Sequence, residues 1–223
     1  MMTPVTLGYR GHADWRDMSE YVVHFAKETP DRSGYDTIMS ILSEQRLMAG
    51  GEFGIARGLN GLGNTQKSVC FSEVPLDRLD RLVDRRGTKY AIGFRQDVLV
   101  QAGGGRVWYV DKDSPLAEAV TAVRQQGFNP WDADHPFWRV TPFIDFPGDY
   151  GATEYRFEWE REWRVPGDMC FTPDQVAFLF IPGELHDAAR AFFQGQNLGP
   201  AFDCPFLDPL WPDVAIQEAL ATL

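Results

Sequence analysis

The sequence predicts an α+β fold built on a mixed, largely antiparallel sheet with flanking helices. Strand-like runs cluster after one early helix and do not alternate strictly with helices, as a doubly wound parallel sheet would require. Over 223 residues, 44% are hydrophobic and 13% aromatic, enough to build a core without staples. The segment Glu154–Val165 alternates charged and apolar residues with a period of two.

The elements follow in chain order. Residues 1–20 form a lead-in, 21–195 the folded domain and 196–223 a C-terminal extension. Tyr21–Ala26 (YVVHFA) is rich in β-formers and predicts a strand. Across Tyr35–Met48, Tyr35, Ile38, Ile41, Leu42 and Met48 recur at helical intervals. Ser33 or Asp36 caps that helix, and Gly50 and Gly51 end it. Residues 50–67 hold six glycines and predict a long flexible connection, either a lid or a surface loop. Ser68–Glu73 predicts a strand, Leu76–Val83 a helix, Tyr90–Phe94 and Arg106–Val110 two more strands, and residues 115–126 a helix. The aromatic stretch 127–148 matches no template; its Phe128, Trp131, Phe137, Trp138, Phe143 and Phe146 suit a satellite core or a partner surface. Val176–Ile181 predicts an apolar strand, and helices are expected at Glu184–Phe193 and about 212–222.

Composition argues against several classes, without excluding a nucleic-acid substrate. The net charge of −11 lacks the basic footprint of a nucleic-acid binder. The local arginines 78, 81, 85 and 86 are interleaved with Asp77, Asp80 and Asp84, as on a solvated, salt-bridged face. No apolar run approaches the ~20 residues of a membrane span, and the N-terminus lacks a signal-peptide pattern, so a cytoplasmic protein without membrane contact is expected. The three cysteines and four histidines show no ligand spacing, which argues against a metal site. Cys70 and Cys170 stand among apolar residues and are expected to be buried and inert. Dinucleotide-fold, phosphate-loop and nucleophile-elbow motifs are missing from the sequence.

The charged strand 154–165 carries the chemistry. Read as continuous, it puts Tyr155, Phe157, Trp159, Arg161, Trp163 and Val165 on one face, apolar apart from Arg161, and Glu158, Glu160 and Glu162 on the other. Neighbouring carboxylates would stand about 7 Å apart. They would raise one another's pKa unless Arg156 and Arg164 intervened. An exposed amphipathic strand and a carboxylate-lined cleft both fit this pattern.

Glu162-Trp163-Arg164-Val165, followed by the apolar strand Val176–Ile181, resembles the C-terminal catalytic region of ADP-ribosyltransferases. Glu160-Arg161-Glu162 resembles the E-x-E form of that motif, whose second glutamate is catalytic. Val22-Val23-His24-Phe25 and the helix Ile38–Leu47 resemble the opening of DarT-like enzymes. Val69–Glu73, Tyr90–Phe94 and Glu160–Arg164 together also resemble AbiGi-type abortive-infection proteins, which belong to phage defence or toxin–antitoxin systems. The resemblance spans roughly residues 21–182 and implies an ADP-ribosyltransferase-like fold with NAD as substrate and no metal. It implies Glu162 and Glu160 as catalytic residues, Glu162 stabilising an oxocarbenium-like ribose and Glu160 orienting the acceptor. His24, Phe71, Ser72 and Tyr90 would bind the dinucleotide, with loop 50–67 as its flap. The central tyrosine of the family's pattern falls on Tyr90 or Tyr109.

Two functions compete. One is NAD-dependent ADP-ribosylation of a protein or nucleic-acid acceptor by a toxin or defence effector. The other is a non-catalytic binding module on the same fold, an antitoxin or regulator with a cognate toxin partner. A hydrolase using Glu158 and Glu162 lacks a second acid in a different environment.

Overall fold

The first helix begins where its cap places it. The Ser33 hydroxyl oxygen accepts the backbone N–H of Asp36 at 3.1 Å, and the hydroxyl donates to the Asp36 carboxylate at 2.6 Å. The helix runs Gly34–Glu44 and stops at Gln45, which adopts the left-handed conformation at φ 51°. It therefore ends five residues before the expected glycines, and Ile38, Met39 and Leu42 face inward.

The computed structural model describes residues 9–10, 12, 14–15, 17–73, 79–127, 134–195 and 201–221. Parts of the lead-in and of the C-terminal extension, the start of the helix expected at 76, and Phe128 and Trp131 lie outside them. The side chains of 77–81, and with them most of the expected mixed-charge face, also lie outside. The fold is mixed α+β with largely antiparallel strand pairing, as the sequence predicts. No helix among the described residues is long and apolar enough to cross a membrane.

The chain divides into two compact units. The first comprises Met1–Arg46, Glu73–Val98 and Cys170–Leu223. Its sheet pairs Tyr21–Phe25 antiparallel with Ala91–Arg95, which pairs antiparallel with Val176–Phe180. Phe206–Leu207, from the C-terminal extension, joins Val176–Phe180 in parallel. Tyr21, Val23, Phe25, Phe178, Phe180, Leu207 and Ile216 form one apolar cluster. Val22, Ile92, Phe94 and Leu179 are buried as well, so these strands have both faces covered. Helices His186–Gly195 and Asp213–Ala221 lie close to their expected places.

The second unit comprises Leu47–Ser72 and Leu99–Met169. Lys67–Glu73 pairs antiparallel with Glu162–Pro166 and, at its start, with Gly51–Glu52; Glu162–Pro166 also pairs with Gly105–Arg106. The expected strand 106–110 is two short pieces, and Trp108–Tyr109 turns away to pair in parallel with Ile144–Asp145. Of the stretch 127–148, the aromatics Phe137, Trp138 and Phe146 go to core: Trp138 packs with Ala56 and Leu62, while Phe137 and Phe146 pack beside Ile55, Val110 and Ile144.

Two expectations are corrected here. Loop 50–67 is a packed segment, and it does not take the form of an open flap. Gln66 is buried, donating to the Trp138 carbonyl at 3.1 Å and accepting from Thr141 at 2.8 Å. Gly54 sits at φ +78°, where a Cβ would fall 1.9 Å from the Thr141 carbonyl oxygen, so its hydrogen is what lets the chain pass. The continuous strand 154–165 is broken as well. Thr153–Tyr155 forms a hairpin with Gly148–Tyr150, Glu158–Glu160 is a 3₁₀ turn, and Arg161 sits at φ 46° before the strand Glu162–Pro166 begins. Alternation of residue types encodes a face only while the backbone stays extended, and one left-handed residue resets it.

Gly93 tests the packing of the first unit. A Cβ there would fall 2.3 Å from the Phe178 ring. Gly93→Ala is expected to cost about 1–3 kcal/mol through overpacking, read as a lower urea midpoint. An unchanged midpoint would show that the ring yields freely.

Candidate functional site

The Glu162–Pro166 strand has four consecutive buried residues, Glu162 to Val165, so it is covered on both faces. Any charge on it must find a partner inside the protein. Arg164 is 1% exposed and Glu162 8%. Their side chains lie two residues apart on one face and meet as a two-pronged pair. Arg164 Nε donates to Glu162 Oε1 at 3.1 Å and Nη2 to Oε2 at 2.9 Å. Nη2 also donates to Asp145 Oδ2, and Nη1 donates to the Pro142 carbonyl at 2.6 Å. The Phe53 ring lies 4.7 Å from the guanidinium carbon.

Two phenols complete the arrangement. The Tyr109 hydroxyl donates to Glu162 Oε2 at 3.3 Å, and the Tyr155 hydroxyl donates to Asp145 Oδ2 at 2.9 Å. The parallel pairing of Tyr109 with Asp145 brings both to this strand. The titration behaviour follows from burial. Tyr109 is pushed well above the usual phenol range by desolvation and then by the Glu162 carboxylate. Tyr155 is raised by desolvation and by Asp145. Cys70, opposite Arg164 in the strand register, is raised by desolvation and by Glu162. Desolvation alone would lower Arg164, but Glu162 and Asp145 outweigh it and the net shift is upward.

The residues singled out from the sequence fall in both units. In the second, Ser72 is in register with Glu162 and Phe71 with Trp163, and both Ser72 and Phe71 are buried. Glu160 is buried in the 3₁₀ turn, whereas Glu158 is exposed, so the row of three like-facing glutamates does not form. Phe157 and Trp159, expected on an apolar inner face, are 40% and 44% exposed. In the first unit, His24 is half-buried opposite Ile92. Tyr90 accepts the Ala26 N–H at its carbonyl and meets the Tyr35 ring edge-on, with its phenol raised by burial and then by Glu184. Of the two candidates for the central tyrosine, Tyr109 is the one bonded to Glu162. Sequence reasoning missed Asp145 and Tyr155, because the aromatic stretch and the hairpin that carry them have no periodic signal. Arg164 was placed correctly beside Glu162. Its burial was not foreseen, because alternation implied one wet face.

A closed α+β unit organised around a buried arginine–carboxylate cluster defines a class of protein; the comparisons supply the family. Residues 62–177, just over half of the chain, match the family described as "Putative abortive phage resistance protein AbiGi, antitoxin", and the chain belongs to it. The matched span holds Cys70, Tyr109, Asp145, Tyr155, Glu162 and Arg164. No curated protein and no solved structure matches the chain.

The thiols give a direct check. Contrary to expectation, Cys70 is only half-buried and Cys170 is exposed, the latter because it alternates with the buried Met169 on the short strand Met169–Cys170. Cys204 is buried, and burial pushes its thiol from 9.0 up to about 12. In folded protein at pH 8, iodoacetamide is expected to modify Cys170 while Cys70 and Cys204 resist, as read by mass spectrometry. The unfolded chain loses these thiol protons from about 9 upward while the fold retains them. Their contribution to stability is therefore present below pH 9 and declines as pH rises through the window ending near 12 for Cys204. Equal alkylation of all three thiols in folded protein would contradict the arrangement.

Proposed function

We propose that this protein is the antitoxin-type, non-catalytic member of a phage-defence system and acts by binding a toxin partner. Membership of the AbiGi family supports the reading. The observation that carries it is the engagement of Glu162. A glutamate that stabilises an oxocarbenium-like ribose must present an oxygen to the sugar. Here Oε1 and Oε2 both accept from Arg164, and Oε2 also accepts from Tyr109. The carboxylate acts as a strut between strands. An acidic chain of net charge −11 suits a basic protein partner, which it would attract over distance.

The competing reading keeps NAD as substrate on an ADP-ribosyltransferase-like fold, with Glu162 and Glu160 catalytic and His24, Phe71, Ser72 and Tyr90 around the dinucleotide. One experiment separates the two. Purified protein is incubated with NAD, wild type beside Glu162→Gln, and nicotinamide release is followed. The chain is also co-produced with the toxin of its own abortive-infection system. The antitoxin reading expects background release from both proteins, restored growth and a co-purifying toxin. Release by wild type that Glu162→Gln abolishes would overturn it in favour of transfer chemistry.

A further inference from the structure

Within the second unit, Arg57, Arg124, Asp145, Phe146, Tyr150 and Tyr155, together with residues 54–55, line an open cleft of about 200 Å³. Its polar groups are unevenly committed. Asp145 brings a carboxylate, but its Oδ2 already accepts from Arg164 and from Tyr155. The Tyr150 hydroxyl donates to the Phe146 carbonyl at 2.7 Å. The arginines are different. Arg57 is exposed and lies 5.7 Å from the Tyr155 ring centroid, and it has no ion pair or side-chain hydrogen bond among the described residues. Arg124 gives one bond from Nη1 to the Ile55 carbonyl at 2.7 Å and has no carboxylate partner among the described residues. Lys112 does not line the cleft; its Nζ lies 5.2 Å from the Tyr150 ring centroid and pairs with the exposed Asp113 at 3.3 Å.

The chain carries 32 acidic residues against 21 lysines and arginines. Acidic residues are plentiful, yet two guanidinium groups open onto one cleft without a carboxylate partner among the described residues. A guanidinium offers a planar fork of donors that matches phosphate oxygens. The rings of Phe146, Tyr150 and Tyr155 supply apolar walls beside it. The volume lies below the ~300 Å³ at which pockets for drug-sized ligands begin, which favours a small occupant over a peptide or nucleic-acid strand.

We propose that this cleft is a binding site for a small phosphorylated ligand whose phosphate is held by Arg57 and Arg124. It goes beyond the antitoxin reading and does not rest on it. The phosphate could come from an inorganic diphosphate or from a nucleotide whose base lies against the rings.

The test is calorimetric titration of the full chain with inorganic pyrophosphate and, separately, with GDP, at matched ionic strength. Wild type is compared with Arg57→Gln, Arg124→Gln and Arg32→Gln. Among the described residues the Arg57 side chain makes only a ring contact, so its replacement is expected to leave the fold intact and keeps the test valid if Arg124→Gln loosens the Ile55 segment. Saturable binding that Arg57→Gln weakens about tenfold or more is expected, that being the loss of one charge-assisted hydrogen bond. Arg32→Gln, at an exposed position of the first unit, is expected to bind as wild type. Tighter binding of GDP supports the site with a nucleotide as occupant, and equal binding supports it with phosphate alone. No saturation with either probe, or equal weakening by Arg32→Gln, would overturn the proposal.

Discussion

A guanidinium withdrawn from water has to be met on every side, and Arg164 is. Two prongs go to Glu162, one hydrogen bond goes to Asp145, another to the Pro142 carbonyl, and the Phe53 ring lies beside the group. This requirement ties together parts of the chain far apart in sequence. Phe53 comes from the glycine-rich segment, Pro142 and Asp145 from the aromatic stretch, and Glu162 from the strand itself. The two-residue strand at Ile144–Asp145 is too short to hold its place by pairing alone. The arginine fixes its carboxylate end, while Ile144 packs with Ile55 and Val110. A buried pair of this kind is weak as a source of net stability, since desolvation offsets much of the attraction. Its removal on one side only is costly, because the remaining charge is then stranded. The cluster therefore specifies how the second unit is assembled more than it adds to the total.

That view also explains which features were legible in the sequence. The strands Tyr21–Phe25, Lys67–Glu73 and Val176–Phe180 and the helices at 34, 115, 186 and 213 follow local rules, namely apolar runs, a serine cap and helical spacing. The α+β class follows from their order. The break at Arg161 follows no such rule, because a residue with φ 46° in the middle of an alternating charged run leaves no compositional trace. The same holds for the glycine-rich segment. Its glycines suggested freedom, yet Gly54 is needed for a close approach to Thr141, and Ala56, Leu62 and Gln66 are buried. At the site, the neighbours Glu162 and Arg164 were visible as a pair on one face. Asp145 was not, since its approach depends on tertiary packing of a stretch without periodicity. Tyr109 was one of two candidates, and only the register of Trp108–Tyr109 with Ile144–Asp145 distinguishes it.

The function follows the same division between local pattern and tertiary commitment. The proposed reading takes the motif E-x-E, followed by an apolar residue and a valine, as a structural strut, because both oxygens of its second glutamate are bonded to an arginine. Family membership joins the chain to abortive phage resistance, and the proposed role places its activity in what it binds. The matched span, residues 62–177, contains Tyr109, Pro142, Asp145, Tyr155, Glu162 and Arg164 of the cluster, and Phe53 lies before it. The cleft lined by Arg57 and Arg124 is where charge opens to solvent without a carboxylate partner among the described residues.

The most direct measurement of the central claim is a double-mutant cycle on Arg164→Met and Glu162→Gln, followed by urea unfolding at neutral pH. A buried cation that holds two carboxylates together predicts a loss of about 3–5 kcal/mol for Arg164→Met alone. It also predicts a coupling of about 2 kcal/mol or more between the two sites, the double variant being much less damaged than the sum. A loss below about 1 kcal/mol for Arg164→Met, with additive effects, would contradict the account and return Arg164 to the status of an ordinary surface-type charge.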